Sequence, residues 1–200
     1  EYVRVIAERL AETPKHSAFL TPETIASIVK SAPLHDIGKI SIPDHILLKP
    51  GKCTPDEFEV MKTHTTLGRD AIITAERRLG IDVEFLAYAK EVAYSHQEKW
   101  DGSGYPEGLA GDAIPISARI MAVADVYDAL ISRRPYKEPM PHGKAVKLIV
   151  DGRGAHFDPD IVDAFIELQD EFFPISQRYA DTDADIEEKV RHIDRFLAGS

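Results

Sequence analysis

The stretch ISARIMAVADVYDALI, residues 116–131, decides the fold class of this chain. Its apolar side chains recur at helical spacing over more than four turns, so it predicts a long buried α-helix. Asp125 lies within it, among small and branched apolar neighbours. A carboxylate in such surroundings needs a cation or several hydrogen bonds to offset its desolvation. The stretch therefore predicts a helical core that contains a polar centre.

Helix start signals recur along the rest of the chain. Thr21 and Thr54 are each followed by proline at the first helical position, and Glu57 completes a capping box with Thr54. Asp158 precedes another proline in the same way. No alternating strand pattern accompanies these signals. The sequence therefore predicts an all-α fold, a compact multi-helix bundle with long loops near the polar centre.

The amino-acid composition limits the classes of molecule that the chain is expected to bind. The chain has 200 residues, with 24 Lys and Arg against 34 Asp and Glu, and its net charge is −10. This acidic excess argues against nonspecific binding to nucleic acid or to a membrane surface. The single cysteine, Cys53, fits a reducing compartment, and no apolar run is long enough to span a bilayer. We expect a cytoplasmic protein in which an anionic substrate meets a locally positive site.

Imidazoles and carboxylates occur at inward or terminal positions of several predicted helices. His35 and Asp36 continue the apolar stripe of the helix that starts at Pro22, and His96 ends the run FLAYAKEVAY. His64 lies on a helix predicted to run from Pro55 towards Glu76. Each histidine alone fits a structural role, but together with Asp125 they suit a divalent transition metal between facing helices. The remaining histidines are expected at the surface: His16, His45, His142, His156 and His192.

Several motifs carry a family resemblance. HDIGK at 35–39, HQEKWDGSGYP at 96–106 and ADVYDAL at 124–130 together resemble the HD-GYP family, and RRPYK at 133–137 and HFDP at 156–159 fit it too. The resemblance implies a domain over residues 1–172, followed by a linker and helix over 173–200 that pack on the domain or on a partner. HD-GYP domains belong to the HD phosphohydrolases, and the resemblance implies bacterial signalling through cyclic di-GMP, often within two-component systems.

Site roles follow from the resemblance, position by position. It implies that two divalent ions, iron, manganese or nickel in preference to zinc, are held by His35, Asp36, His64, His96 and Asp125. Asp36 is expected to bridge the ions and to act in catalysis together with Lys39, which faces the phosphate. The dinucleotide is expected to contact Lys39, Tyr105, Arg134 and Lys137.

Two features depart from the family pattern. Gln97 stands where many members have a second histidine, so two ions are expected instead of three. The family also places a ligand histidine on the first helix, and the alignment of EYVRVIAERLA puts that position upstream of Glu1. The first helix is therefore expected to be truncated, and this fragment to bind metal poorly or to be inactive.

The resemblance implies a phosphodiesterase that hydrolyses cyclic di-GMP to linear pGpG, either as end product or on the way to GMP, by means of a metal-bridging hydroxide. An upstream signal-receiving domain is expected in the whole protein. The alternative is a catalytically weak sensor that binds a cyclic dinucleotide. It would contact partner proteins through the GYP loop, the loop that contains Gly104, Tyr105 and Pro106. A generic HD enzyme that releases phosphate from a linear dinucleotide or a mononucleotide is the third possibility.

Overall fold

The computed structural model describes residues 1–80, 83–132 and 139–179, and the regular elements within these ranges are all helices. The α-helices are α1 Tyr2–Ala11, α2 Pro22–Ser31, α3 Asp44–Leu47, α4 Pro55–Lys62, α5 His64–Leu79, α6 Glu84–Ser95, α7 Ile116–Ile131, α8 His142–Asp151 and α9 Pro159–Tyr179. Short 3₁₀ turns occupy Ala32–Leu34, Ile37–Ser41 and Gly111–Ala113. The predicted all-α class is confirmed.

The core forms around α7, the helix predicted from the apolar stretch. Helices α1, α8 and α9 pack against it, and α2 packs between α1 and α6. Tyr127 of α7 is buried, with its ring edge-on to Phe165 at 5.6 Å and to Phe172 at 5.1 Å. A smaller cluster around Ile72 and Ala89 joins α5 to α6. Burial of these apolar faces holds in place the helices that carry the polar centre.

The predicted helix caps are confirmed. The Thr21 hydroxyl accepts a hydrogen bond from the N–H of Thr24 at 3.2 Å. Thr54 and Glu57 form the reciprocal capping box at the start of α4. These bonds satisfy backbone donors that a helix leaves free at its N-terminus.

The helix predicted from Pro55 through His64 is two helices, because Thr63 ends α4 and precedes α5. At this junction the side chains of Thr63, His64 and Thr65 bond to the last carbonyls of α4. Thr63 Oγ donates to Val60 at 2.7 Å, and Thr65 Oγ donates to Lys62 at 3.0 Å. These side chains replace helical backbone donors, which lets the chain turn at this point.

The expectation that His35 and Asp36 lie on a continued α2 is wrong. Helix α2 ends at Ser31. Pro33 has no N–H to bond to the carbonyl four residues earlier, so the α-helical ladder cannot continue through it. The chain passes instead through the 3₁₀ turn Ala32–Leu34, with His35 at its end, and Asp36 precedes the next turn.

His16, expected at the surface, is buried, with 6% of the residue exposed. Its ring packs against α9, where Nε2 lies 3.4 Å from a carboxylate oxygen of Asp160. The prediction missed this contact because the two residues are 144 positions apart in the chain.

The expected domain boundary at 172/173 falls inside α9, which continues to Tyr179. The tail helix predicted from Asp185 lies outside the described residues, as does the segment 133–138 with Arg134 and Lys137. None of the helices in the described ranges has the length and hydropathy needed to cross a bilayer.

Candidate metal centre

Three histidines occupy helix ends, and each bonds to a nearby carbonyl of the preceding helix or turn. Nδ1 of His35 lies 2.9 Å from the carbonyl oxygen of Ala32, and Nδ1 of His64 lies 2.7 Å from that of Met61. Nδ1 of His96 lies 2.9 Å from the carbonyl oxygen of Val92. Because a carbonyl can only accept, each Nδ1 is the protonated donor. This places Nε2 of every ring away from the helix end.

These Nε2 atoms converge on two carboxylates. Asp36 Oδ1 lies 3.6 Å from Nε2 of both His64 and His96. His35 Nε2 lies 3.2 Å from Asp36 Oδ2 and 3.5 Å from Asp125 Oδ1. The structure therefore brings together all five of the ligands predicted in the sequence.

The most compact part of this cluster is a group of three. One ligand atom each from Asp36, His64 and His96 lies within 4.8 Å of the others. Asp36 Oδ1 is buried and has no hydrogen-bond partner among the described residues. An unpaired buried carboxylate oxygen beside two imidazole nitrogens is unfavourable unless a cation is shared between them. The group fits a divalent metal ion, and its fixed Nδ1 donors match the way metal-binding histidines are oriented.

Without an ion, protons offset the negative charge. Burial acts to lower the pKa of His35, but hydrogen bonds to Asp125 and Asp36 outweigh it and raise the pKa to about 10. Burial acts to raise the pKa of Asp36, yet contacts with its basic neighbours hold that pKa well below the usual range. Burial lowers the pKa of His64. The cluster thus holds two carboxylates ionised, a protonated His35, and a His64 that favours the neutral, metal-binding form.

Lys39 lies at the edge of the cluster. Its Nζ donates a hydrogen bond to Asp36 Oδ2, and 39% of its side chain is exposed. The ammonium group is therefore held by the carboxylate and also reaches solvent.

A close backbone contact positions Asp36 and His64 relative to each other. Gly38, in the turn Ile37–Ser41, lies against Gly68 of α5 and against the carbonyl oxygen of His64. A Cβ atom at Gly38 would overlap both backbones. The glycine lets the turn that follows Asp36 approach the first turn of α5, which begins at His64.

The loop after His96 presents Tyr105 to the centre. The Tyr105 ring lies edge-on to that of His64, with centroids 6.3 Å apart. Burial, followed by the negative charges of Asp36 and Asp125, raises the pKa of Tyr105 to about 12, so its phenol is protonated at neutral pH. The peptide bond from Tyr105 to Pro106 is cis.

Glu98 holds this loop in shape, a role that was not predicted. It is 2% exposed, and its two carboxylate oxygens accept hydrogen bonds from the N–H groups of Glu107 at 2.8 Å and Leu109 at 3.0 Å. Gly104 packs so closely on the backbone of Glu98 that a Cβ would overlap it. The chain thus wraps around a buried carboxylate. The only signal in the sequence is that Glu98 lies two residues after His96, a histidine predicted to be a ligand.

Comparison with known proteins agrees with this geometry. The family model for the HD domain matches residues 4–161. A relative from Vibrio cholerae, named "Probable cyclic di-GMP phosphodiesterase", is 56% identical over 183 residues, which are 92% of this chain and 42% of the relative. A second from the same organism, named "Cyclic di-GMP phosphodiesterase", is 55% identical over 181 residues, 90% of this chain and 37% of the relative.

A solved structure also resembles the chain. It is an HDG"Y"P protein from Bdellovibrio bacteriovorus with a TM-score of 0.57 and 22% identity, and the match covers 84% of this chain and 50% of that one. Together the family match, the relatives and this fold confirm the resemblance stated from the motifs. The chain spans less than half the length of the two curated relatives, 42% and 37%.

Proposed function

Since the chain belongs to the HD domain family, we propose that it is a metal-dependent phosphodiesterase of the HD-GYP type that hydrolyses cyclic di-GMP to linear pGpG. The observation that carries the proposal is the convergence of Asp36, His64 and His96 ligand atoms within 4.8 Å. Two curated relatives, at 56% and 55% identity, bear the name of this activity. The proposal extends that activity from the relatives to this chain.

We assign a pair of divalent ions to His35, Asp36, His64, His96 and Asp125. Asp36 suits a bridging role because its two oxygens face different partners, Oδ1 towards His64 and His96 and Oδ2 towards His35. Mixed imidazole and carboxylate ligands suit iron, manganese or nickel. When bound, such ions lower the pKa of a coordinated water and polarise phosphoryl oxygens.

The chain's own groups orient the substrate. Lys39 reaches solvent beside Asp36, and we propose that it contacts a phosphoryl oxygen, where its charge would stabilise the negative charge that grows during attack on phosphorus. Tyr105, whose phenol is protonated, is proposed to offer an aromatic face to a guanine. Arg134 and Lys137, outside the described residues, are proposed to bind the phosphates. Cleavage of one P–O3′ bond leaves a 5′-phosphate, which gives pGpG, and a second cleavage would give GMP.

The proposal extends to the rest of the protein. The chain matches 42% and 37% of the two relatives, and we propose, from the habit of the family, that the whole protein carries a signal-receiving domain upstream. Partner proteins are proposed to contact the GYP loop, and the location is proposed to be cytoplasmic.

A sensor is the second candidate. Gln97 favours it, because a neutral amide next to His96 is a poor ligand and reduces the number of ions the centre can hold. A sensor would bind cyclic di-GMP and leave it intact.

Incubation with cyclic di-GMP, followed by chromatography, separates these functions. The protein is loaded in turn with Mn²⁺, Fe²⁺, Ni²⁺ or Zn²⁺, and the nucleotides are resolved with time. Linear pGpG supports the phosphodiesterase, whereas retained intact ligand supports the sensor. Asp36→Ala should abolish turnover, and Asp170→Ala, which changes an exposed carboxylate on α9, should not. Full turnover by metal-loaded Asp36→Ala would refute the bridging assignment.

A further inference from the structure

Phe58 is an exposed aromatic residue next to the candidate metal centre. It lies on α4, a helix without a buried residue, and 45% of Phe58 is exposed. The large phenylalanines of the core, Phe165 and Phe172, are fully buried. Phe58 therefore contributes little to the core, and its open face is accessible to a ligand.

Phe58 is the outer end of an aromatic series that leads to the centre. Its ring lies edge-on to Tyr105, with centroids 6.0 Å apart and an interplanar angle of 88°. Tyr105 lies edge-on to the ring of His64 at 6.3 Å. A ligand bound at His64 therefore has an aromatic surface beside it that extends outward from Tyr105 to Phe58.

Lys62 adds a positive charge to the same surface. It lies one helical turn after Phe58, so both side chains project from the same side of α4. Lys62 Nζ is 5.7 Å from the centroid of the Phe58 ring and 6.0 Å from that of Tyr105. Its Nζ is also 2.7 Å from a carboxylate oxygen of Glu59. A cation near two rings helps to hold their orientation, and the Glu59 carboxylate fixes the position of the ammonium group.

We propose that Phe58, Lys62 and Tyr105 form a purine-binding wall, in which Phe58 stacks on one base of the cyclic dinucleotide and selects purines over pyrimidines. The inference rests on the proposed function and adds a specificity-determining residue to it. Aromatic side chains stack on the π-face of a base, and the larger purine ring system gains more contact from the same ring. Lys62 positions both rings and offers a cation to the neighbouring phosphate.

The test separates stacking from apolar bulk. Phe58→Leu keeps an apolar side chain and removes the aromatic face, and Phe58→Tyr restores that face. Phe19→Leu is the matched control, because Phe19 is 48% exposed and lies edge-on to Tyr88 at 6.4 Å, in a similar setting elsewhere. The KM and kcat for cyclic di-GMP are measured on metal-loaded protein, together with the inhibition constant of cyclic di-UMP.

We expect Phe58→Leu to raise the KM for cyclic di-GMP about tenfold, equal to about 1.4 kcal/mol, with kcat unchanged. Inhibition by cyclic di-UMP should weaken less, so the preference for purine should fall. Phe58→Tyr should recover the wild-type KM, and Phe19→Leu should match the wild type. An unchanged KM in Phe58→Leu, or an equal weakening of binding for cyclic di-GMP and cyclic di-UMP, would contradict the proposal.

Failure of the proposed function gives a different result. If the wild type hydrolyses no cyclic dinucleotide, equilibrium dialysis with cyclic di-GMP still tests the wall, and binding weakened in Phe58→Leu supports it. If the wild type neither hydrolyses nor binds the nucleotide, both proposals are overturned. Lys62→Met should raise the KM and Lys62→Arg should not, while Lys30→Met changes an exposed lysine of α2 as the control.

Discussion

Nε2 of His64 lies 3.4 Å from Nε2 of His96, although the two residues are 32 positions apart in the chain. Both rings use Nδ1 to donate to a backbone carbonyl, so in the neutral form of the rings the two Nε2 atoms carry lone pairs that face each other. Two lone pairs at this distance repel unless a proton or a metal ion lies between them. The fold therefore provides a cation-binding arrangement before any cation is bound.

Removal of one of these rings should abolish stabilisation by metal. A ligand present at 100 times its Kd stabilises a folded protein by about 2.7 kcal/mol. We expect this gain in the free energy of unfolding for the wild type titrated with Mn²⁺, and little or none for His96→Ala. His45→Ala, which changes an exposed histidine of α3, should keep the full gain. Urea unfolding with and without metal measures all three, and an undiminished gain in His96→Ala would exclude it as a ligand.

The contact between Gly38 and Gly68 predicts a large effect from one methyl group. In Gly38→Ala the new Cβ overlaps backbone on α5, which cannot move aside as a flexible side chain can. Overpacking of this kind costs about 1–3 kcal/mol of stability. It should also weaken metal binding, because it separates Asp36 from His64. Gly143→Ala on α8, where a Cβ meets nothing within 4 Å, is the control and should retain both properties. Thermal unfolding and metal titration measure them, and wild-type metal affinity in Gly38→Ala would contradict this account.

A buried ion pair ties α7 to the start of α9. Arg119 donates to Asp158 at 2.6 Å, and their side chains are only 9% and 1% exposed. Arg119→Met leaves a buried carboxylate without its cation, which costs about 3–5 kcal/mol. Arg153→Met breaks an exposed ion pair with Asp163 of α9, and exposed pairs contribute about 0–1 kcal/mol. Chemical denaturation measures the loss in the free energy of unfolding for each variant. Equal losses would show that burial does not determine the cost of breaking an ion pair.

His156 predicts a pH dependence of stability away from the metal centre. Burial, assisted by the charge of Lys99, lowers the pKa of His156 in the folded state. The unfolded chain therefore binds this proton more readily, so stability is full above about pH 6.5 and falls as the pH drops from there towards the folded pKa. His156→Asn should flatten that fall, whereas the exposed His45→Asn should leave it unchanged. Urea midpoints between pH 7.5 and 5 measure the slopes, and parallel slopes would contradict the assignment.

The sequence predicted those parts of the fold that depend on local patterns. The apolar run gave α7 its observed limits, and the Thr54 capping box starts α4 as expected. The five residues predicted as ligands came from residue type and family motif, and the structure brings their side chains together. The break at Thr63 was missed because it depends on side chains that bond to carbonyls of the preceding turn, a competition that apolar periodicity does not report.

Long-range contacts explain the remaining differences. His16 is buried because α9 returns to cover it, and Glu98 is buried because the loop after it folds back over its carboxylate. A role for Phe58 was not predicted, because a single aromatic residue on a polar helix gives no signal in the sequence until the fold brings Tyr105 beside it. Each of these depends on a partner at a distance in the chain, where spacing along the sequence gives no information.

The placement of His96 at the end of α6 limits how this centre can change in evolution. An insertion in the loop after it lengthens a connection and leaves the imidazole where it is. One residue inserted within α6 instead rotates everything beyond it by about 100° and turns the ring away from its partners. Descendants of this sequence should therefore vary in loop length, while the number of residues between His96 and the end of α6 stays the same.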